Sequence, residues 1–230
     1  MAIRDNLVSH WKLEEAATAN RVDSEGSNDL TDSANVEQVT GKIGNASDFE
    51  STEGDYLSRA SYTMPTGNGA RTITVWVNIE SSTGDNQVII DWGTRATRQE
   101  WGLILDTDLH MFIGIFGEDS ADSDTVIGTG SFHFLAVTYD GTTVKYYLDG
   151  VADGTDTFAG TPNTTSTDIL SIGILQTAAN FEFDGIIDEV SVWSRELTST
   201  EVSFLYNSGN GREFPWTVAA GNSQMMAANF

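Results

Sequence analysis

The sequence predicts an all-β fold, a two-sheet antiparallel sandwich with one short C-terminal helix. Three observations predict it. Short segments of period-two alternation recur along the chain; Gly, Asn and Asp turns separate them; and the 230 residues include 22 Gly but only three Pro. Many short strands at close spacing build a sandwich or barrel, whereas parallel sheets need a helical crossover between strands.

Taken in order, residues 7–13 open the pattern, with Trp11 on the same face as Leu7 and Leu13. Residues 72–79 put Ile73, Val75, Val77 and Ile79 on one face, which is expected to meet the core, with Thr72, Thr74, Trp76 and Asn78 opposite. Further strands are expected at 87–92, 101–106, 109–116, 132–139, 143–148, 169–174 and 186–193; in 109–116 the core face is Leu109, Met111, Ile113 and Ile115. Asp140-Gly141 and Asp149-Gly150 are hairpin-turn dipeptides, because Gly accepts the positive φ those turns need. One helix follows. Thr198-Ser199-Thr200-Glu201 forms a capping box, and Val202, Leu205 and Tyr206 come at helical spacing.

Composition narrows the function. With 11 Lys and Arg against 34 Asp and Glu, the net charge of −23 excludes an electrostatic grip on nucleic-acid phosphates or anionic membranes. No Cys is present, so disulfides, thiolate nucleophiles and Cys-ligated metals are excluded. His10, His110 and His133 are widely spaced, which argues against a histidine metal centre and leaves three lone, unpartnered histidines. No run of about 18 apolar residues spans a membrane. The N-terminus lacks the basic start and apolar stretch of a secretory signal, so synthesis in a cytoplasm is expected.

The most specific stretch is Phe183-Asp184-Gly185-Ile186-Ile187-Asp188-Glu189-Val190-Ser191-Val192-Trp193, followed by Arg195-Glu196-Leu197-Thr198 and the helix to Tyr206. It resembles the C-terminal signature of laminin-G-like, concanavalin A-like jelly rolls, a group similar to the pentraxins. His10-Trp11-Lys12-Leu13, Gly41 to Phe49, Thr72 to Trp76, and Leu135 to Gly150 agree in the same order. The resemblance covers roughly residues 7–207, and implies a jelly-roll domain over 1–207 followed by a tail, 208–230. That fold hosts lectins, hydrolases, receptors and structural modules, so it does not fix function.

Catalysis is not expected. Similar glucanases carry Glu-x-Asp-x-Glu on one strand, and this chain has no such string; Asp188 and Glu189 are adjacent, so regular alternation sends them to opposite faces. Asp188 shares parity with Ile186, Val190 and Val192, so a carboxylate sits amid apolar residues and needs N–H donors, a base such as Arg195, or a cation. The loop Asp23-Ser24-Glu25-Gly26-Ser27-Asn28-Asp29 is oxygen-rich, and the resemblance pairs it with Asp188: Asp23 and Asp188 are the expected ligands of one structural calcium ion. Glu118 to Asp124 is expected to be a solvated acidic loop at the rim. Trp76 and Trp193 point away from the apolar parity of their strands and are the better surface aromatics.

The resulting expectation is a non-enzymatic, lectin-like surface or appendage protein of a bacteriophage virion, of the decoration or fibre type, with affinity for cell-surface glycans. Its expected partners are capsid or tail proteins and further copies of itself, and neither nucleic acid nor membrane. The alternatives are a carbohydrate-binding module of a bacterial extracellular protein or glycoside hydrolase, and a hydrolase with a divergent acid pair. In the tail, Phe214, Trp216, Val218, Met225, Met226 and Phe230 either strap back over their own sandwich or dock on a neighbouring subunit or the particle surface.

Overall fold

The structure is a computed structural model that describes residues 2–175 and 181–216. Among the described residues, fourteen strands form two antiparallel sheets. The larger contains β1 (Leu7–Trp11), β3 (Glu37–Thr40), β4 (Asn45–Phe49), β6 (Arg71–Ile79), β10 (Phe132–Tyr139), β11 (Thr143–Leu148), β12 (Val151–Thr157) and β14 (Gly185–Trp193). Its order is β12-β11-β10-β6-β14-β4-β3, with β1 also on β14. The smaller runs β2 (Thr31–Ser33), β5 (Tyr56–Arg59), β13 (Leu170–Ile172), β7 (Gln87–Gly93), β8 (Glu100–Leu105), β9 (Met111–Gly114). The sandwich is as the alternation predicts, and the one short α-helix among the described residues is as the capping box predicts. Strands β2, β3, β4, β5 and β12 were not distinguishable by pattern: segments such as Thr31–Ser33 and Glu37–Thr40 are short and polar, with no apolar face to repeat.

The faces expected to meet the core do so. Ile73, Val75, Val77 and Ile79 of β6, and Leu109, Met111, Ile113 and Ile115 around β9, pack with Trp11, Phe49, Trp92, Trp101 and Phe183 between the sheets. Strand β14 departs from simple alternation. Glu189 adopts φ 53°, and the register with β6 slips between Asp188 and Ser191. The extra residue at this bulge moves Val190 and Val192 into the core on the phase of Ile187, while Ile186 is only half-buried. The expected shared parity of Asp188 with Val190 and Val192 therefore fails.

A second apolar layer covers the outer face of the larger sheet. Helix α1 (Ser199–Tyr206) starts on the expected capping box, with Thr198 Oγ1 accepting from Glu201 N at 3.3 Å and Glu201 Oε2 accepting from Thr198 N at 2.9 Å. Val202 and Leu205 of α1 pack with Trp76, Phe134, Trp193, Phe214 and Trp216. Trp76 and Trp193 are thus buried, contrary to the surface position their parity suggested; the parity is right, but a helix and a returning chain end lie over that face. Phe214 and Trp216 strap back onto their own sandwich, past the expected domain end at 207, and so are not free to dock elsewhere. Val218, Met225, Met226 and Phe230 lie outside the described residues.

Candidate functional site

One outer face is capped by α1 and the strap, and the outer face of the smaller sheet carries a groove. Alternation builds it. On β7, Ile90 and Trp92 enter the core, so Asp91 between them faces out. On β8, Trp101, Leu103 and Leu105 enter the core, which leaves Glu100, Gly102 and Ile104 outside. On β9, Met111 and Ile113 go in and Phe112 and Gly114 out. Register then aligns Ser171, Asp91, Gly102 and Gly114 in one row across β13, β7, β8 and β9. Beside that row runs an apolar ledge of Val88, Ile104 and Phe112, joined by Leu175 and Phe181. Two facing glycines raise no side chain from the floor. The result is a cavity of about 190 Å³ whose lining includes Arg95, Glu100, Ile104, Phe112, Gly114 and Asp119.

Its electrostatics come from two acids on neighbouring strands. Asp91 pairs with Gly102 and Glu100 with Gly93, which sets the two carboxyl groups diagonally on one face. Burial pushes the Glu100 carboxyl up to about 7, against the opposing effects of the neighbouring Asp91 and of the Arg95 charge. Among the described residues, Glu100 Oε1 and Arg95 Nη1 are buried without a hydrogen-bond partner. The Arg95 guanidinium lies 5.5 Å from the Phe116 ring and 5.7 Å from the Phe181 ring. Asp119 Oδ1 accepts from Ile115 N at 2.9 Å, which fixes the far wall. Sequence reasoning missed Asp91 and Glu100 because it sought acids spaced along one strand. The available signal was an acid at an outward position on each of two successive strands.

The expected calcium ligands each have hydrogen-bond donors of their own. Asp23 accepts from four backbone amides: Oδ1 from His10, Glu25 and Gly26 at 3.0, 3.2 and 2.9 Å, and Oδ2 from Asn28 at 2.9 Å. Asp188 Oδ2 accepts from Ile43 N at 2.9 Å, and burial pushes its carboxyl up to about 8. Among the described residues, no group of three or more His, Asp or Glu is placed to hold a metal. Arg195 does not serve Asp188; it forks onto Glu201 at 2.7 and 2.9 Å.

The histidines expected to be unpartnered all have acidic neighbours. His133 meets Asp149 at 2.8 Å and His110 meets Asp106 at 3.5 Å. His10 is fully buried, with Nδ1 2.8 Å from Ser191 Oγ and Nε2 3.3 Å from Glu189, and it stacks on Phe214 at 4.3 Å. Burial lowers its pKa to about 3 and raises that of Glu189 to about 8, so this cluster sits neutral beneath the strap. The acidic loop 118–124 is also tied down: Ser120 N donates to Ile113 O and Ser123 N to Met111 O, which covers the free edge of β9.

Two sheets in this order, with one outer face capped and the other grooved, define a jelly-roll sandwich of lectin type. The chain belongs to the concanavalin A-like lectin/glucanases superfamily, whose Laminin_G_3 sequence model matches residues 51–203. A search of curated proteins finds no match. Among solved structures, the chain is similar to domain 4 of AbnA, a GH43 extracellular arabinanase from Geobacillus stearothermophilus solved with arabinotriose, at 20% identity and TM-score 0.69, covering 86% of this chain and 97% of that one. It is also similar to the binding domain of Paraclostridial Mosquitocidal Protein 1, at 16% identity and TM-score 0.70, covering 90% of this chain and 53% of that one. The binding domain of botulinum neurotoxin DC, solved with SialylT, matches at 13% identity and TM-score 0.66, with 90% and 52% covered. The chain spans about half the length of these toxin domains, and all three likenesses are likenesses of fold.

Proposed function

We propose that this chain is a non-enzymatic, lectin-like jelly roll that binds glycans at the groove of the smaller sheet and serves as a surface or appendage protein of a bacteriophage virion. One observation carries the glycan reading: the groove combines an apolar ledge with Glu100 and Arg95, each of which buries a polar atom that has no hydrogen-bond partner among the described residues, the pairing of an apolar wall with a few polar anchors that sugar recognition requires. The arabinotriose complex of the similar arabinanase domain supports it. The absence of hydrolysis is supported by the sequence, which carries no Glu-x-Asp-x-Glu string to aim paired acids at one face from a single strand. The virion reading draws support from a net charge of −23, which keeps particles dispersed, and from a Cys-free sequence suited to folding in a reducing cytoplasm.

A glycan array probed with the full chain is expected to show binding, and the bound glycans to release no reducing sugar on incubation. The chain is expected among the proteins of purified virions by mass spectrometry. An array without signal would overturn the glycan reading, and absence from virions would overturn the virion reading. A second reading, a carbohydrate-binding module of a bacterial extracellular protein, is favoured by the match to nearly the whole of an arabinanase domain.

A further inference from the structure

We infer that the groove receives a single neutral sugar unit whose adjacent hydroxyls bridge Glu100 and Arg95, and that its acidic lining turns away anionic sugars. This inference rests on the glycan reading and names the ligand class at the same site.

Two atoms carry it. Glu100 is only 3% exposed, and its Oε1 has no hydrogen-bond partner among the described residues. Arg95 Nη1 lines the same cavity and is likewise buried and unpartnered. Buried polar atoms are rarely left so. These two do not satisfy each other, because Arg95 reaches Glu100 through its charge and not through a hydrogen bond. A bridging ligand must offer a donor to one and an acceptor to the other. A vicinal diol does both, since each hydroxyl donates and accepts. An ammonium group would satisfy Glu100 but face the Arg95 cation; a carboxylate would do the reverse.

The rest of the groove fits the same ligand. The Arg95 guanidinium lies over both the Phe116 and the Phe181 rings, contacts that restrain it before a ligand arrives. Ile104 and Phe112 present an apolar wall suited to the C–H face of a pyranose or furanose ring. A volume of about 190 Å³ falls below the roughly 300–1,000 Å³ of clefts that take drug-sized ligands, so one unit enters rather than a chain. Asp119 and Glu100 line the cavity with Arg95, and Asp91 stands beside Glu100 on the same face, all on a chain of net charge −23, so a uronic or sialic carboxylate enters a site already rich in acids.

The test titrates the full chain, at fixed ionic strength, with the methyl glycosides of glucose, galactose, mannose and arabinose and with glucuronic and galacturonic acids, read by ligand-observed NMR. At least one neutral glycoside is expected to bind, and the uronic acids at least tenfold more weakly. Arg95→Met is expected to weaken the neutral ligand at least tenfold, and Glu100→Gln to narrow the gap between neutral and anionic ligands. Gly114→Ala raises a methyl from the floor, where only the movable end of Ile104 stands within 3 Å; it is expected to weaken binding while the melting temperature holds. Uronic acids binding as tightly as the neutral glycosides would overturn the inference. So would Arg95→Met and Gly114→Ala both binding like the parent. In either case glycans bound on the array would leave the broader reading standing. A blank array would remove both.

Discussion

At the scale of the residue, the chain spends its burial cost on a few acids, and each is handled differently. Asp23 is solvated by protein: four amide N–H groups converge on its two oxygens and tie the Ser24–Asn28 loop to β1. Donors that point at both oxygens repel a cation approaching from the same side. Asp23→Ala is therefore expected to cost about 1–3 kcal/mol by orphaning those amides. The calcium role expected for Asp23 and Asp188 is decided by the melt in chelator: a fall in melting temperature that Asp188→Asn abolishes would establish it, and an unchanged melt with no metal in the native protein would remove it.

Asp188 and Glu189 are kept by burial in their protonated forms, with carboxyls pushed up to about 8, while His10 is pushed down to about 3. The unfolded carboxyls titrate near 4, so what these two acids add to stability is complete below that pH and is lost as pH rises towards 8. His10 acts in the opposite sense, but only between about 3 and its ordinary 6.5. From pH 6.5 to 8 these two carboxyls act together with Glu100, itself raised to about 7, and the melting temperature is expected to fall across that window. Glu189→Gln should flatten the fall; an equally steep profile in that variant would remove Glu189 from the account. The sequence marked Asp188 as a buried acid. It could not show that a bulge places Glu189 against His10, because that contact joins β14 to β1 across 179 residues.

At the scale of the element, alternation told inside from outside on the long central strands. It failed in two ways. Short polar edge strands carry no apolar face to detect, and a one-residue bulge reverses the phase downstream of it. A third discrepancy concerned what covers a face rather than its parity. Trp76 and Trp193 do face out from the larger sheet, yet both are buried under α1 and the strap, where Trp216 stacks on Trp193 at 5.6 Å. Trp216→Ala would open a void over that indole, with an expected cost of about 3–5 kcal/mol. In a chain of this size that corresponds to a fall of roughly 6–20 °C in melting temperature. An unchanged melting temperature would show that the strap adds nothing to the fold.

At the scale of the whole molecule, 34 acidic against 11 basic side chains repel one another across both sheets. Screening relieves this, since the Debye length falls from about 30 Å at 0.01 M salt to about 3 Å at 1 M. Raising sodium chloride over that range is expected to raise the melting temperature by several degrees. A flat response would mean that the acids are already spaced beyond each other's reach. The same charge bears on ligand choice, because the groove on the smaller sheet lies in the negative field of the whole chain.

By itself, the sequence determined the all-β class, the inward faces of the long strands, the capping box of α1, the acidity and the superfamily signature around Gly185–Trp193. All of these are local in the chain or additive over it. Periodicity, capping and charge depend on residues a few positions apart, or on none. Only the tertiary structure decided the groove and the buried His10 cluster. Asp91 and Glu100 become neighbours through the pairing of β7 with β8, Gly102 and Gly114 through the pairing of β8 with β9, and His10 and Glu189 through the pairing of the first strand with the last. Sites of that kind are set by register between strands, and register is fixed by how two sheets bury their faces together rather than by any one segment.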